Sequence, residues 1–415
     1  MEQKSNSLLI ITDSSPESFS PAGERIRHLA LAGGSKFSKV MVLALKRSQR
    51  ERNPEGNENT KVFLYSVKFS RVVPFPFSVF FDPVKMLMLL IHGLVLYSRI
   101  KPSHVLASMP PLETGMSAWI IAKIKRVPLV VDLRDDWESA ANVQLKRFFP
   151  QSVLAILSAI SRRIYSSASV VFAVTQTIAE TMQKRNIKTE VLLVPNGADA
   201  TVFVPKALKT RRETRREHAL PSERIVVVYC GSGINPYYRL DLALSSFKIL
   251  SEEFERKIFF VLYVYNGIEG LRKLQDKLGI SRNLVEIRNP LPRNQLSEVL
   301  AACDIGLVPF DAKEYLLCAR STKIYEYLSS GLYVVCSGPE GSELDALLSS
   351  NAKLGTFVLP TRENFVEAFK FVSENDFLLG EDMRALRHSF IRENYDRQYI
   401  MRKAMDALFG NVPSA

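Results

Sequence analysis

Short apolar runs alternate with longer amphipathic stretches along nearly the whole chain. Apolar runs of about four to eight residues bounded by turn residues read as buried parallel strands, and the stretches between them as helices. The pattern predicts strands over 8–12, 39–45, 61–67 and 103–107, one opening at Leu129, and others over 169–174 and 190–194. Helices are expected from Pro21 onward and over 83–99, 112–125, 153–166 and 176–184. The same alternation starts again at 225. Strands fall at 225–230, 259–264, 284–287 and 304–309, and one follows Gly331. Helices fall at 268–278, 294–301, 364–371 and 382–409. Between 47 and 60 the sequence is polar without periodicity and reads as a mobile loop. Strand and helix in strict alternation predict an α/β fold with parallel, doubly wound sheets.

One helix organises the rest. Arg320-Ser321-Thr322-Lys323-Ile324-Tyr325-Glu326-Tyr327-Leu328-Ser329-Ser330-Gly331 runs directly into the buried strand Leu332-Tyr333-Val334-Val335-Cys336-Ser337. Ser321 or Thr322 is placed to cap it, and Gly331 sits where a left-handed C-terminal residue is wanted. Lys323 and Glu326, three apart, share a face near the N-terminus, the end that attracts anions. A cation beside a phosphate-friendly helix start, with a carboxylate one turn deeper, suits a nucleotide; it equally suits a capped surface helix with an ordinary ion pair. A second dense stretch, Asp132-Leu133-Arg134-Asp135-Asp136-Trp137-Glu138, lies at the C-terminal end of a buried strand, where doubly wound sheets place their sites. A salt-bridge cluster would read the same way. The loop after 8–12 leads into a helix at Pro21-Ala22-Gly23-Glu24-Arg25, a strand–loop–helix junction open to an anion. Gly231-Ser232-Gly233 follows the strand at 225–230, but Asn235 and Pro236 break the dinucleotide fingerprint.

At 415 residues there is room for two domains, and 47% hydrophobic with 24% charged residues is the composition of a folded soluble protein. A net charge of +12 favours anionic partners: nucleotide diphosphates, anionic lipid or nucleic acid. The basic residues form no aromatic-interleaved platform, so no nucleic-acid partner is expected. Much of the charge sits in 206–224, which reads as a solvated linker or helix face and marks the domain boundary. Cys230, Cys303, Cys318 and Cys336 are scattered without metal or disulfide spacing, so a reducing cytoplasm is the simplest setting and no metal is expected. The apolar start at 8–11 is too short for a signal peptide, and the longest apolar run, 86–97, too short to span a bilayer. The segment 72–81 interleaves valine, proline and phenylalanine beside Lys68, Arg71 and Lys85. Core packing accounts for it, as does contact with a membrane interface or a lipid-linked acceptor.

These motifs together resemble retaining GT-B glycosyltransferases of family four, in the branch acting on amino-sugar and exopolysaccharide substrates. Ser321, Thr322, Lys323, Glu326, Tyr327 and Gly331 take the places of that branch's nucleotide-sugar signature, with Ser321 standing for a usual proline. Glu326 matches the second glutamate of its Glu-x7-Glu motif, and Cys318 occupies the first. Arg134-Asp135 is similar to its Arg-Asp-Leu-Trp-Pro-Glu motif, and Pro195-Asn196-Gly197-Ala198-Asp199 to its Pro-Asn-Gly-Val-Asp turn. The resemblance implies two Rossmann-like domains facing a central cleft. An acceptor-side domain over 1–204, the basic linker over 205–224 and a nucleotide-sugar domain over 225–390 would be followed by a last helix, 391–415, crossing back. It implies donor binding by Gly23, Gly231, Arg239, Ser321, Thr322, Lys323 and Glu326, with Tyr238 where the family often has a lysine. Arg134 would bind phosphate or acceptor, and Asp135 would orient or deprotonate the acceptor hydroxyl. The expected activity is metal-independent transfer, with retention, of a hexosyl or N-acetylhexosaminyl group from a nucleotide-diphosphate sugar to a saccharide or lipid-linked acceptor. The setting would be cell-surface polysaccharide or glycoconjugate synthesis, with no cofactor beyond the donor. The expected place is the cytoplasm, peripheral to an anionic inner membrane face. The alternatives are a nucleotide-sugar epimerase or hydrolase of the same fold, and a non-catalytic membrane or assembly partner.

Overall fold

The computed structural model describes residues 6–17, 20–46, 62–68, 82–144, 148–253 and 257–409. The expected loop over 47–60 and the aromatic segment 72–81 with Arg71 lie outside them, as does the end of the loop before Pro21. The chain forms two compact units, Met1–Pro195 with Gln398–Ala415, and Asn196–Arg397.

The first unit runs β1 (Ser7–Thr12), α1 (Pro21–Gly34), β2 (Lys39–Lys46), β3 (Val62–Lys68), α2 (Pro83–Ile100), β4 (His104–Met109) and α3 (Leu112–Lys125). It continues with β5 (Leu129–Leu133), α4 (Trp137–Gln144), α5 (Gln151–Ser167), β6 (Val170–Ala173), α6 (Gln176–Lys184) and β7 (Glu190–Leu193). All seven strands are parallel, in the order β3-β2-β1-β4-β5-β6-β7. β1 is buried on both faces, which is why it reads as an unbroken apolar run. Its Leu8 stands opposite Val40 on one side and His104 on the other. The chain winds outward from β1 to β3 and returns across it to β4, so the switch of direction lies between β1 and β4. Ligands of such sheets bind beyond the C-terminal ends of the strands at that point. Polar caps start the helices there: Ser20 accepts from the Gly23 N–H, and Asp82 from those of Val84 and Lys85.

The second unit opens with α7 (Leu208–Glu217), β8 (Ile225–Gly231), α8 (Leu240–Glu253), β9 (Ile258–Val264), α9 (Ile268–Lys277), β10 (Val285–Arg288) and α10 (Arg293–Ala302). Then come β11 (Ile305–Pro309), α11 (Thr322–Ser329), β12 (Tyr333–Ser337), α12 (Glu343–Ser349), β13 (Gly355–Val358), α13 (Arg362–Glu374) and α14 (Glu381–Asn394). Its six strands are also parallel, ordered β10-β9-β8-β11-β12-β13, with the switch between β8 and β11. Phe247, Phe260, Leu262, Phe365 and Phe369 lie in its core.

Three expectations change. The basic run over 205–224 is not a solvated linker: the second unit has already begun at Asn196, and α7 buries Arg211 and Arg215 against Asp304, at the start of β11. The helix expected over 382–409 is two helices, α14 and α15 (Arg397–Ala407), parted at Tyr395-Asp396, where Asp396 bridges to Ala198. From Gln398 the chain groups with the first unit. Finally, α2 extends the apolar run 86–97 at both ends to 18 residues, long and apolar enough to cross a membrane by length and composition alone.

Candidate active site

In the second unit, β8 ends at Gly231 and β11 at Pro309, the two strands that flank the switch point. α11 starts beyond them. Ser321 caps it, its hydroxyl accepting from the Lys323 N–H at 3.4 Å, and Thr322 is its first residue. Gly331 ends it with φ +86°, a left-handed turn that drops the chain into β12. Lys323 reaches back across the end of β8. Its Nζ donates to the Tyr238 hydroxyl at 2.9 Å and lies 4.5 Å from the centre of that ring and 5.5 Å from that of Tyr229. Gly231 makes room: a Cβ there would stand 2.5 Å from Lys323 Cε, and its φ is +152°. Tyr238 is itself fixed, stacked on Phe310 at 4.9 Å and 15°, with its N–H on Asn235 Oδ1. Tyr327, on α11, accepts the Cys230 N–H at 2.9 Å and ties the helix to the strand edge. Burial pushes the Tyr229 phenol and the Cys230 thiol well above their ordinary values, so both are neutral at physiological pH. The result is a lysine held by aromatic rings at a helix N-terminus, an arrangement that attracts a phosphate.

Glu326 lies one turn deeper, half-buried, with Oε1 3.6 Å from Nη2 of Arg397. Arg397 is buried and donates twice to the Gly197 carbonyl. Arg239, just before α8, is tied to the end of β11 by its N–H to the Pro309 carbonyl, but its guanidinium is engaged by Asp241 at 2.9 and 3.0 Å and stands 3.7 Å from Asp311. The structure therefore brings Gly231, Ser321, Thr322 and Lys323 together and leaves Arg239 bound to two carboxylates. Cys318 precedes α11 and contacts the Tyr315 carbonyl at 3.8 Å.

Gly23, Arg134 and Asp135 fall in the first unit, at its own switch point. Gly23 lies in the first turn of α1. Two residues on, Arg25 clamps Asp132 of β5 with Nε at 2.9 Å and Nη2 at 2.6 Å, both side chains buried. Arg134 follows β5. Its N–H donates to the Met109 carbonyl at the end of β4, its guanidinium to that of Pro110, and it lies 3.7 Å from Asp13 beyond β1. Asp13 also faces Lys85 at 3.6 Å, and Lys85 stands 3.9 Å from the buried Glu113, whose Oε1 accepts the Asp82 N–H. Desolvation raises the Glu113 carboxyl, against the pull of Lys85. Asp135 is exposed. Surrounding protein raises its carboxyl while Arg134 and Arg25 lower it, and water at the exposed side chain favours the ionised form. Asp136 opens α4 and is bound by Arg185 at 3.0 Å.

Asp13, Lys85 and Glu113 were not singled out as site residues in the sequence. Asp13 carried a signal, a carboxylate directly after a buried strand. Lys85 and Glu113 look like ordinary helix charges until the fold sets them beside it. Among the described residues no three His, Cys, Asp or Glu side chains gather as a metal site.

Residues 22–197 match the sequence model of a family described as glycosyl transferase 4-like domain. The matched stretch covers less than half of the chain. It spans most of the first unit, including Gly23, Arg134 and Asp135. No curated protein sequence matches the chain. Among solved structures the chain is similar to sucrose-phosphate synthase from Thermosynechococcus elongatus, with a TM-score of 0.72 over 98% of each chain at 12% identity. It is similar to Anabaena HepE in complex with UDP-glucose, with a TM-score of 0.70 over 98% of this chain and 100% of that one at 14% identity. UDP-GlcNAc 2-epimerase from Neisseria meningitidis gives 0.57 over 97% and 98% at 16% identity. The chain thus has the GT-B fold that the resemblance implies. A synthase and an epimerase share this fold, so the fold alone does not choose between their reactions.

Proposed function

We propose that the protein transfers a sugar from a nucleotide-diphosphate donor to a saccharide or lipid-linked acceptor, with retention, in the synthesis of cell-surface polysaccharide or glycoconjugate. The observation that carries this reading is Lys323, laid over Gly231 at the N-terminus of α11 and at the switch point of the second sheet. A diphosphate seated there meets the Lys323 ammonium and the positive end of the helix dipole. Those groups would stabilise the charge that develops on the departing nucleotide, the task a metal performs elsewhere. Glu326, one turn further in, would accept from the ribose hydroxyls. On the acceptor side, Arg134 would hold an anionic or hydroxyl group and an ionised Asp135 would orient the attacking oxygen. A hexosyl or N-acetylhexosaminyl donor and a place at the cytoplasmic face of the membrane complete the reading.

Calorimetric titration with UDP, GDP and ADP tests it. One nucleotide should bind the wild type. Lys323→Ala should weaken it about 10–100-fold, as loss of a charge-assisted hydrogen bond does, and Glu326→Ala should weaken it as well. Unchanged affinity in Lys323→Ala would remove the assignment of this site, and no binding of any of the three would favour the non-catalytic reading. The similarity to an epimerase gives one competing reaction. Epimerised donor formed without an acceptor would replace transfer by epimerisation.

A further inference from the structure

Helix α2 turns a row of large apolar side chains to solvent. Leu87, Ile91 and Val95, spaced by four, are 52%, 51% and 41% exposed, and Val84 begins the row. The opposite face of the helix is occupied. Lys85, Leu89, Gly93, Leu96 and Ile100 are buried, and a Cβ on Gly93 would stand 2.5 Å from Ile121 of α3. α2 and α3 lie side by side and run the same way. Their N-terminal ends are joined where the Asp82 N–H meets Glu113 and the Ser117 hydroxyl meets the Met86 carbonyl. At their C-terminal ends Lys125 lies over the Tyr97 ring at 5.3 Å. There the pair carries Arg99, Lys101, Lys123, Lys125 and Arg126, all exposed, with Ile124 exposed among them. Between residues 83 and 126 the sequence holds one acid, Glu113, and it is buried.

We propose that this face docks onto an anionic lipid bilayer, with α2 lying in the boundary between headgroups and acyl chains. An apolar row alone would suit several occupants. The cluster of five exposed cations with no exposed carboxylate on either helix selects a negatively charged surface. A second copy of the chain, packed row against row, would offer the same cations and no acid to meet them. Although α2 is long enough to cross a bilayer, Leu89 and Leu96 are buried in the first unit, so it lies on the membrane without leaving its place. The row starts at Val84, beside Lys85, which reaches Asp13 at the strand ends that carry Arg134. If the transferase reading holds, a lipid-linked acceptor would arrive at that edge; the docking itself does not depend on it.

Co-sedimentation of the full chain with phosphatidylcholine vesicles, plain or containing about one-third phosphatidylglycerol, tests the proposal. The wild type should bind the anionic vesicles and be released by salt. Lys123→Gln with Lys125→Gln, and separately Leu87→Gln with Ile91→Gln, should each weaken binding by about 10-fold or more. Their thermal melting should match the wild type, because these side chains face solvent. Absence of vesicle binding, or binding undiminished in both variants, overturns the proposal. So does a concentration-dependent dimer abolished by the glutamines, which would assign the row to a second copy. Binding indifferent to lipid charge and resistant to salt overturns it in favour of insertion. Nucleotide titration of the same variants should equal that of the wild type, so failure of docking and failure of the donor site are read separately.

Discussion

Lys323 gives its hydrogen bond to the Tyr238 oxygen, so the phenol proton of Tyr238 is left to donate elsewhere. A hydroxyl polarised by a neighbouring ammonium is a strong donor, and this one stands where the family often has a lysine. Tyr238→Phe keeps the stack on Phe310 and removes that donor together with the oxygen that accepts from Lys323. It should weaken nucleoside diphosphate about 3–10-fold and leave the free nucleoside unaffected, in parallel calorimetric titrations. Equal losses for both ligands would mean that the ring, not the hydroxyl, matters. Glu113 makes a different test. Its carboxyl, ordinarily at 4.5, is raised by burial. A raised folded-state value means that its contribution is fully present below the unfolded value and is lost as pH rises through the folded one. Glu113→Gln has no charge to bury, so its melting temperature should gain on that of the wild type as pH rises above the ordinary value of 4.5. Parallel melting curves would show that Lys85 fully compensates the charge. Lys323, Glu326 and the Ser321 cap were legible because they depend on neighbours within one turn. The contacts of Tyr238 and Lys85 were not, because each partner is contributed by another element, 85 residues away for Tyr238.

At the scale of elements, α7 shows how an arginine-rich segment misleads. Arg211 and Arg215 are four apart and therefore share a helix face. Nothing nearby in sequence indicates that this face meets Asp304, which also accepts the Val226 N–H at 2.8 Å. Asp304→Ala would leave two buried guanidiniums unpaired, at a cost of about 3–5 kcal/mol. Urea denaturation should register that loss, and a shift below about 1 kcal/mol would show that water reaches the pair. Strands β1, β5, β8 and β11 were plain in the sequence, since a strand buried on both faces must be a continuous apolar run. The ends of helices were less so. The break between α14 and α15 is made at Asp396, by its bridge to Ala198 and the bond from the Ala200 N–H to its carboxylate, neither of which a local pattern contains.

For the whole molecule, the chain's end is part of its beginning. Met401 and Met405 are fully buried, Phe409 packs on Phe37 at 5.0 Å between ring centres, and Asp406 pairs with Lys36. Deleting residues 398–415 should cost the first unit about 3–6 kcal/mol from the two methionines alone. Differential scanning calorimetry should show a lowered transition; an unchanged profile would mean that the segment is ornamental. Periodicity in the sequence alone determined two α/β repeats, because burying a parallel strand or one face of a helix demands a local pattern. It also determined the capped, lysine-bearing helix, because capping and dipole act within a turn. Tertiary structure decided which distant charges meet: Arg25 with Asp132, Lys85 with Asp13, Arg215 with Asp304. Such pairs form wherever chain crossings bring strand ends together, and a charge is a good partner for any opposite charge. Composition therefore permits many pairings, and the order of the strands selects one.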